Sequence, residues 1–520
     1  METIFNYGKD QLTIAKSIDL ASGKIQGVLC DEVKTTISRS QQNVQEIVNR
    51  NKTVYGINTG FGILANKKIS EEDTITLQHK ILQSHSVGVG NPIPTEVARL
   101  MMITKVHSLA RGFSGVQLET LERIIWHIDQ NIIPVVPEKG SVGASGDLAP
   151  LAHLFLPLIG LGEVIVDNKI QNPVDVLSQH GKSPIQFGPK EGLALINGTQ
   201  FILAFAIKAV QRMHNCLEAA DIIGAMSLEA LTGTKAPFDK RLHELRPFEG
   251  NKLVAQRLRL ILDESEIMQS HVECGRVQDP YSLRCMPQVH GASRNAWKHL
   301  KELTETELNA VTDNPIIFSP DDTISGGNFH GQPLALPLDY ACFAASEIGN
   351  ISDRRCYLLL EGKWGLPVLL MNDVGLNSGF MIPQYTTAAL VTENKTLCFP
   401  ASADSIPTSL GQEDHVSMGS ISGRKLNQVL ENLEDILAIE LLSACQAIEF
   451  RRPLKSSSIL EFAHDHVREY VGFAEEDRIF ADDINKVAGL IKDFSFVRNV
   501  NEFAFAKGID LNEGYAGWGG

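Results

Sequence analysis

Long helical patterns constrain the fold of this chain more strongly than any other feature. The stretch Thr199–Leu231 is rich in alanine and contains no proline. Leu334–Leu360 is similar apart from an early Pro337, and leucines recur at helical spacing through Leu426–Ile448. A helix of this length must bury its apolar stripe against other helices. The sequence therefore predicts a mainly α-helical protein with a long central helical bundle.

Shorter patterns add further helices and a few strands. Val97–Leu109 and Val116–Ile128 have the spacing of amphipathic helices. Two hairpins are expected. The first joins Glu163–Val166 to Lys169-Ile170 across a turn at Asp167-Asn168. The second joins Ile316–Phe318 to Thr323–Ser325 across a turn at Ser319–Asp322. Strands are thus expected to be minor parts of the fold.

The charge balance narrows the class of partner. Lys and Arg number 47 against 62 Asp and Glu, a net charge of −15, which argues against nucleic acid or an anionic membrane surface. The apolar stretch Leu193–Val210 is interrupted by polar residues, so we expect a buried helix there and no membrane span. Met1–Asn6 lacks the features of a secretory signal, and the eight cysteines form no C-x-x-C pair. We expect a cytoplasmic protein with a small-molecule substrate.

A loop of three glycines is the strongest chemical feature. In Gly140–Asp147, Ser145 stands between Ala144 and Gly146. Glycine permits sharp bends, so the amide nitrogen of Gly146 can approach the carbonyl carbon of Ala144. Closing that bond gives a five-membered ring, and loss of the Ser145 hydroxyl leaves an exocyclic methylidene, an electrophile made from the chain itself. The loop lacks the second glycine of the G-x-S-x-G hydrolase motif.

The longer string Gly140–Leu154, GSVGASGDLAPLAHL, resembles the cofactor loop of the ammonia-lyase family that carries methylidene-imidazolone (MIO). The resemblance implies an MIO group formed from Ala144, Ser145 and Gly146 without an external cofactor. It also implies a fold of the fumarase/aspartase-like superfamily and a homotetramer whose active sites combine several subunits. A weak boundary near Pro189–Gly192 then separates a smaller N-terminal domain with the MIO loop (residues 1–195) from the central bundle and C-terminal helical region (196–520).

Six further segments resemble the same family in the same chain order. They are Tyr55–Gly62, Ser84-His85, Asn197–Gln200, Gln278–Arg284, Gly326–His330 and Gln412–His415. Because they span most of the chain, the resemblance is not confined to one loop.

The resemblance also implies roles for individual residues. Tyr55 corresponds to the base that removes the substrate β-proton, and Tyr281 to a second tyrosine near the electrophile and the amine. Asn197 corresponds to a residue that contacts electrophile and substrate, Phe329 to one that packs beside the electrophile, and Gln278 to a polar residue nearby.

The substrate residues favour histidine. Arg284 offers a planar fork suited to the substrate carboxylate. His85, Gln412 and Glu413 resemble the ring pocket of the histidine-specific members. A benzene ring would leave His85 and Glu413 desolvated and unpaired, at about 1–3 kcal/mol each. The implied reaction is elimination of ammonia from L-histidine to give trans-urocanate.

Three alternatives stay open at this point. A tyrosine or phenylalanine ammonia-lyase, or an aminomutase that returns the amine to Cβ, could use the same core. A metal enzyme could use Glu413, Asp414, His415 and His330, although ligand pairs on a helix usually stand four residues apart. A non-enzymatic helical scaffold is the third.

Two further features lie outside these assignments. Met286 and His290 vary from the form in some bacterial members, and we expect them behind Arg284. The tail Gly514–Gly520 is typical of a flexible end.

Overall fold

The computed structural model describes residues 4–50, 54, 56–57, 59, 71–272 and 275–515, with the backbone alone at positions 71, 72 and 74. Its contacts divide the chain into two compact units. The first comprises residues 1–208, 301–339 and 400–424, and the second comprises residues 209–300, 340–399 and 425–520. The expected domain boundary between residues 195 and 196 stays a prediction.

Helices dominate the described residues, so the predicted fold class is confirmed. They are α1 (Ile14–Ala21), α2 (Asp31–Asn49), α3 (Glu71–His85), α4 (Thr95–Leu109), α5 (Leu118–Asp129), α6 (Leu148–Phe155), α7 (Pro173–Gln179), α8 (Glu191–Ile196), α9 (Gln200–Ala230), α10 (Lys240–Leu245), α11 (Glu249–Ile261), α12 (Glu266–Gln269), α13 (Tyr281–Arg284), α14 (Met286–Leu308), α15 (Gln332–Leu360), α16 (Met381–Leu397), α17 (Gly419–Glu449), α18 (Ser458–Arg468), α19 (Phe480–Lys492) and α20 (Ser495–Ala506). Each of the three long predicted stretches lies in one helix: α9, α15 and α17.

The strands are short and belong to the first unit. They are β1 (Ile4–Asn6), β2 (Gln26–Val28), β3 (Val89–Pro92), β4 (Ile133–Pro134), β5 (Pro137–Lys139), β6 (Val164–Val166), β7 (Lys169–Gln171), β8 (Ile316–Ile317) and β9 (Thr323–Ile324). The pair β1–β2 is parallel, whereas β3–β5, β4–β6–β7 and β8–β9 are antiparallel. The pairs β6–β7 and β8–β9 confirm the two predicted hairpins.

Buried helices of the first unit support the glycine loop. Helices α3, α6 and α8 pack against one another, and every residue of α8 is buried. Helix α4 is buried along almost its whole length, and this includes Lys105, which is only 1% exposed. A lysine is almost never fully buried unless it is paired, so this position calls for a polar partner.

The second unit contains a buried ionic network. Asp221 accepts hydrogen bonds from Arg257 (2.8 Å), Arg294 (2.5 Å) and His290 (2.8 Å). Burial alone would raise the pKa of Glu218, but the charges of Arg257 and Arg294 lower it to about 2. His290 is therefore part of a packed structural network.

The described residues contain neither a membrane-spanning helix nor a metal-binding cluster. No helix among the described residues is long and apolar enough to cross a membrane. In the same part of the chain, no group of three or more His, Cys, Asp and Glu side chains is arranged to hold a metal ion.

Candidate active site

The glycine loop is folded against the segment that precedes α9. Ser145 and Gly146 both have left-handed backbone angles, with φ of 51° and 81°. Gly198 donates to the carbonyl of Ser145 (3.2 Å) and accepts from the amide of Asp147 (2.8 Å). A Cβ atom on Gly146 would lie 2.1 Å from the Gly198 carbonyl oxygen, so only glycine allows this approach.

Asp147 fastens the loop to the start of α9. Its fully buried carboxylate accepts from the backbone amides of Phe201 (3.1 Å) and Ile202 (3.0 Å) and from the Ser141 hydroxyl (3.2 Å). The first amides of a helix have no partner within the helix and favour a negative charge. Burial raises the pKa of Asp147 to about 7, against the lowering effect of these hydrogen bonds and of the Lys105 charge.

The segment before α17 holds the other side of the loop. Met418, with φ of 55°, donates its backbone amide to the carbonyl of Val142 (3.1 Å), and the Ser420 hydroxyl donates to that of Ser141 (2.7 Å). A Cβ on Gly143 would lie 2.3 Å from the Ser417 hydroxyl oxygen. The loop is thus fixed on two sides by backbone contacts that exclude side chains.

The predicted ring-pocket residues lie at this loop. The hydroxyl oxygen of Ser145 lies 3.5 Å from Oε1 of Glu413, and the Thr408 hydroxyl donates to Oε2 of the same carboxylate (3.2 Å). His85 ends α3, and its Nδ1 lies 3.0 Å from the Ser84 hydroxyl. Burial lowers the pKa of His85, while a hydrogen bond to the Ile81 backbone and the charge of Glu413 oppose that shift. The structure therefore places the Glu413 carboxylate beside the loop serine, where its charge also acts on the His85 imidazole.

The remaining residues of this region lie in turns. Gln412 is exposed beside the half-buried Glu413. Phe329 is half-buried in the turn before α15. A ring nitrogen of His330 lies 3.2 Å from the backbone carbonyl oxygen of His415, so this contact involves the peptide and no metal-ligating pair.

Asn197 stands between α8 and α9 and is only 1% exposed. Its side-chain nitrogen donates to the carbonyl of Asn314 (2.7 Å) and lies 3.4 Å from Oδ1 of Asp313. Its backbone carbonyl accepts from the ammonium of Lys105, and Asp313 is paired with Lys190. Asn197 is thus bound through both its side chain and its backbone.

Within the second unit, three predicted site residues form one cluster. Arg284 donates to the side-chain oxygen of Gln278 (3.0 Å) and to the backbone carbonyl of Asp279 (2.9 Å), and its guanidinium lies 4.5 Å from the centre of the Tyr281 ring. The Asp279 carboxylate accepts from Arg276 and from the Thr234 amide, both at 2.7 Å. Tyr281 is 71% exposed, which leaves its phenol accessible within this unit.

Several buried charged residues of this region were not predicted from the sequence. One predicted site residue, Tyr55, lies outside the described residues. Asp147, Lys105, Lys190 and Asp313 were not predicted as site residues. A lysine inside the otherwise apolar run of α4 is the one local feature that could have indicated such a role.

The aromatic amino acid lyase family matches residues 12–469 of the chain. The chain belongs to this family, which confirms the resemblance noted in its sequence. It is 48% identical over 467 residues to a histidine ammonia-lyase of Idiomarina loihiensis, covering 89% of this chain and 91% of that protein.

Solved structures of similar proteins share the fold of this chain. The crystal structure of a histidine ammonia-lyase from Trypanosoma cruzi has a TM-score of 0.88 and 41% identity, covering 97% of this chain and 96% of that one. A tyrosine aminomutase from Streptomyces globisporus has a TM-score of 0.91 and 33% identity, covering 98% and 99%.

The close approach of Gly146 to Gly198 predicts an unequal response to two glycine substitutions. Gly146→Ala combines an unfavourable φ of 81° with a backbone clash, whereas Gly181→Ala has a φ of 65° but nothing within 4 Å of the new Cβ. We expect the second to cost about 1–2 kcal/mol and the first roughly 3 kcal/mol or more. Chemical denaturation of both variants measures the difference, and equal losses would contradict the contact.

Proposed function

We propose that this chain eliminates ammonia from L-histidine to give trans-urocanate. The observation that carries the proposal is the position of Glu413, whose Oε1 lies 3.5 Å from the Ser145 hydroxyl and whose charge acts on His85. The relatives at 46–48% identity over most of the chain, which are histidine ammonia-lyases, support the same substrate.

The loop fits an MIO group formed from Ala144, Ser145 and Gly146. Ring closure needs a tight bend at Ser145, and two successive left-handed residues supply one. It also needs a residue without a side chain at position 146, since the Gly198 carbonyl occupies the space of a Cβ. Once formed, the group supplies an electrophile for the substrate amine. No external cofactor is needed for this chemistry.

The chain's own residues bind and orient the substrate. A lowered pKa favours the neutral imidazole of His85, which has one donor and one acceptor. Glu413 offers acceptors for the substrate ring N–H, and His85 can pair with the other ring nitrogen. We assign Arg284 to the substrate carboxylate, because a guanidinium binds a carboxylate through two parallel hydrogen bonds.

Other residues complete the proposed site. We assign Tyr55 to removal of the β-proton and Tyr281 to the region of the amine. Asn197 contacts the electrophile and substrate, Phe329 packs beside the electrophile, and Gln278 and Gln412 line its polar surroundings. These roles follow the family resemblance of each residue.

An aminomutase is the second candidate function. The likeness to the tyrosine aminomutase structure favours it, because that protein shares the fold at a TM-score of 0.91. The two candidates differ in their products, since a lyase releases ammonia whereas an aminomutase retains the nitrogen. A substrate panel with product analysis separates them.

The Glu413 carboxylate predicts a selective loss when its charge is removed. Glu413→Gln should raise KM for histidine by about tenfold, the value of one charged hydrogen bond, and should affect tyrosine much less. The matched control is Asp414→Asn, which changes the neighbouring exposed carboxylate. Steady-state kinetics on both substrates measures the effect, and an equal loss for both would exclude Glu413 as the specificity residue.

The Ser145 hydroxyl predicts a mass difference. Ring closure with dehydration lowers the intact mass of the wild-type chain by two water molecules. Ser145→Ala lacks the hydroxyl that must leave, so the methylidene should not form and turnover should fall by several orders of magnitude. Mass spectrometry and the urocanate assay check this, and a wild-type mass equal to the sequence mass would refute the MIO proposal.

A homotetramer in the cytoplasm is part of the same proposal. Along α15, Tyr340 (50% exposed), Phe343 (44%) and Tyr357 (53%) share one helix face. Large apolar patches on a protein surface mark interaction sites, and a second copy of the chain is the occupant that family resemblance implies. The scattered cysteines support the compartment.

That exposed face predicts how the assembly can be broken. Phe343→Glu should shift the mass in light scattering from tetramer to smaller species, because a carboxylate there would be desolvated. Tyr470→Glu alters an aromatic residue of similar exposure (49%) outside this face and should leave the assembly intact. A monomeric wild-type chain would disprove the tetramer.

A further inference from the structure

Two buried lysines lie close to Asn197, the residue that follows α8. Lys105 of α4 donates its ammonium to the backbone carbonyl of Asn197. Lys190, which caps α8 and is completely buried, pairs with Asp313. The same carboxylate lies 3.4 Å from the Asn197 side-chain nitrogen. Lys105 thus contacts Asn197 directly, and Asp313 connects Asn197 to Lys190.

These contacts fix the orientation of the Asn197 amide. The carbonyl of Asn314 and the carboxylate of Asp313 can only accept hydrogen bonds, so the amide nitrogen must face them. Both of its N–H groups are then engaged, and the amide oxygen is the group left for a ligand. The neighbouring Gly198 pairs with Ser145 and Asp147 of the loop, so a shift of this segment would also move the loop.

Burial brings the pKa of Lys105 close to neutral pH. Burial lowers the pKa of Lys105 to about 7; Asp313 and Asp147 oppose this shift, whereas the Lys190 charge adds to it. The charged groups that face Lys105 are therefore Asp313, Lys190 and Asp147. An ammonium forms a shorter and stronger hydrogen bond to a carbonyl than a neutral amine does.

We propose that Lys105 is a positioning residue, whose protonated amine holds Asn197 in the orientation that binds substrate and whose deprotonation weakens that binding. The proposal rests on the proposed function, in which Asn197 contacts the substrate. Lys105 acts through Asn197 and needs no contact with substrate itself.

The test compares Lys105→Met with the wild-type enzyme across pH. Methionine fills similar space but leaves the Asn197 carbonyl without this donor, so the variant should be less stable than the wild type and still show the mass loss of ring closure. We expect KM for histidine to rise about tenfold below pH 7, the value of one charged hydrogen bond. Well above pH 7 the two KM values should converge, with kcat changed little throughout. Titration of the substrate itself cancels in the ratio of the two enzymes.

Two further variants test whether the charge of Lys105 causes the pH dependence of KM. Lys190→Met removes the like charge beside Lys105, so the pH at which KM begins to rise should move upward. Glu307→Gln is the control, because Glu307 is a buried carboxylate that accepts from Thr199 and not from Asn197; its KM profile should match the wild type.

A Lys105→Met deficit that is the same at every pH would overturn the proposal, as would an unchanged KM or an unmoved pH midpoint in Lys190→Met. A wild-type enzyme that forms no urocanate would instead refute the proposed function.

Discussion

The contact between the backbones of Gly146 and Gly198 is the constraint on which the candidate site depends. It exists because Gly146 has no Cβ, which would lie 2.1 Å from the Gly198 carbonyl oxygen, and because Ser145 and Gly146 accept left-handed angles. The next residue, Asp147, binds the first amides of α9. The bend of the loop, the start of α9 and the segment of Asn197 and Gly198 thus belong to one connected arrangement. A change at any of the three would disturb the others.

Much of the fold could be predicted because its information is local. The stretch Thr199–Leu231 becomes α9 (Gln200–Ala230) almost residue for residue, since periodicity and the absence of proline act within a few turns. Helix α14 was not predicted: it starts beside Pro287 and is rich in charged residues, and its burial depends on partners such as Asp221, which lies 73 residues from Arg294. Likewise, no local pattern shows that residues 301–339 and 400–424 join the first unit.

The candidate site likewise contains residues that the local sequence could predict and residues that it could not. The loop, His85 and Glu413 could be named because short segments around them resemble those of the family. Lys105 and Lys190 could not, because a buried lysine has meaning only through its partner, and Asp313 lies 123 residues from Lys190 along the chain. Motif resemblance thus finds the groups assigned to the substrate more readily than the buried groups proposed to position them.

The two buried ionic networks differ in the pKa values of their ionisable groups. In the second unit, Glu218 and Asp221 face Arg257 and Arg294, so opposite charges balance and the pKa of Glu218 falls to about 2. Such a network keeps its charge throughout the physiological range and serves packing. In the first unit, burial lowers the pKa of Lys105 to about 7 and the Lys190 charge adds to this shift, whereas the charges of Asp313 and Asp147 oppose it. A buried amine is costly for stability in its charged form, and groups with strongly shifted pKa values cluster at functional sites. The lowered pKa of Lys105 beside Asn197 is therefore better explained by activity than by folding.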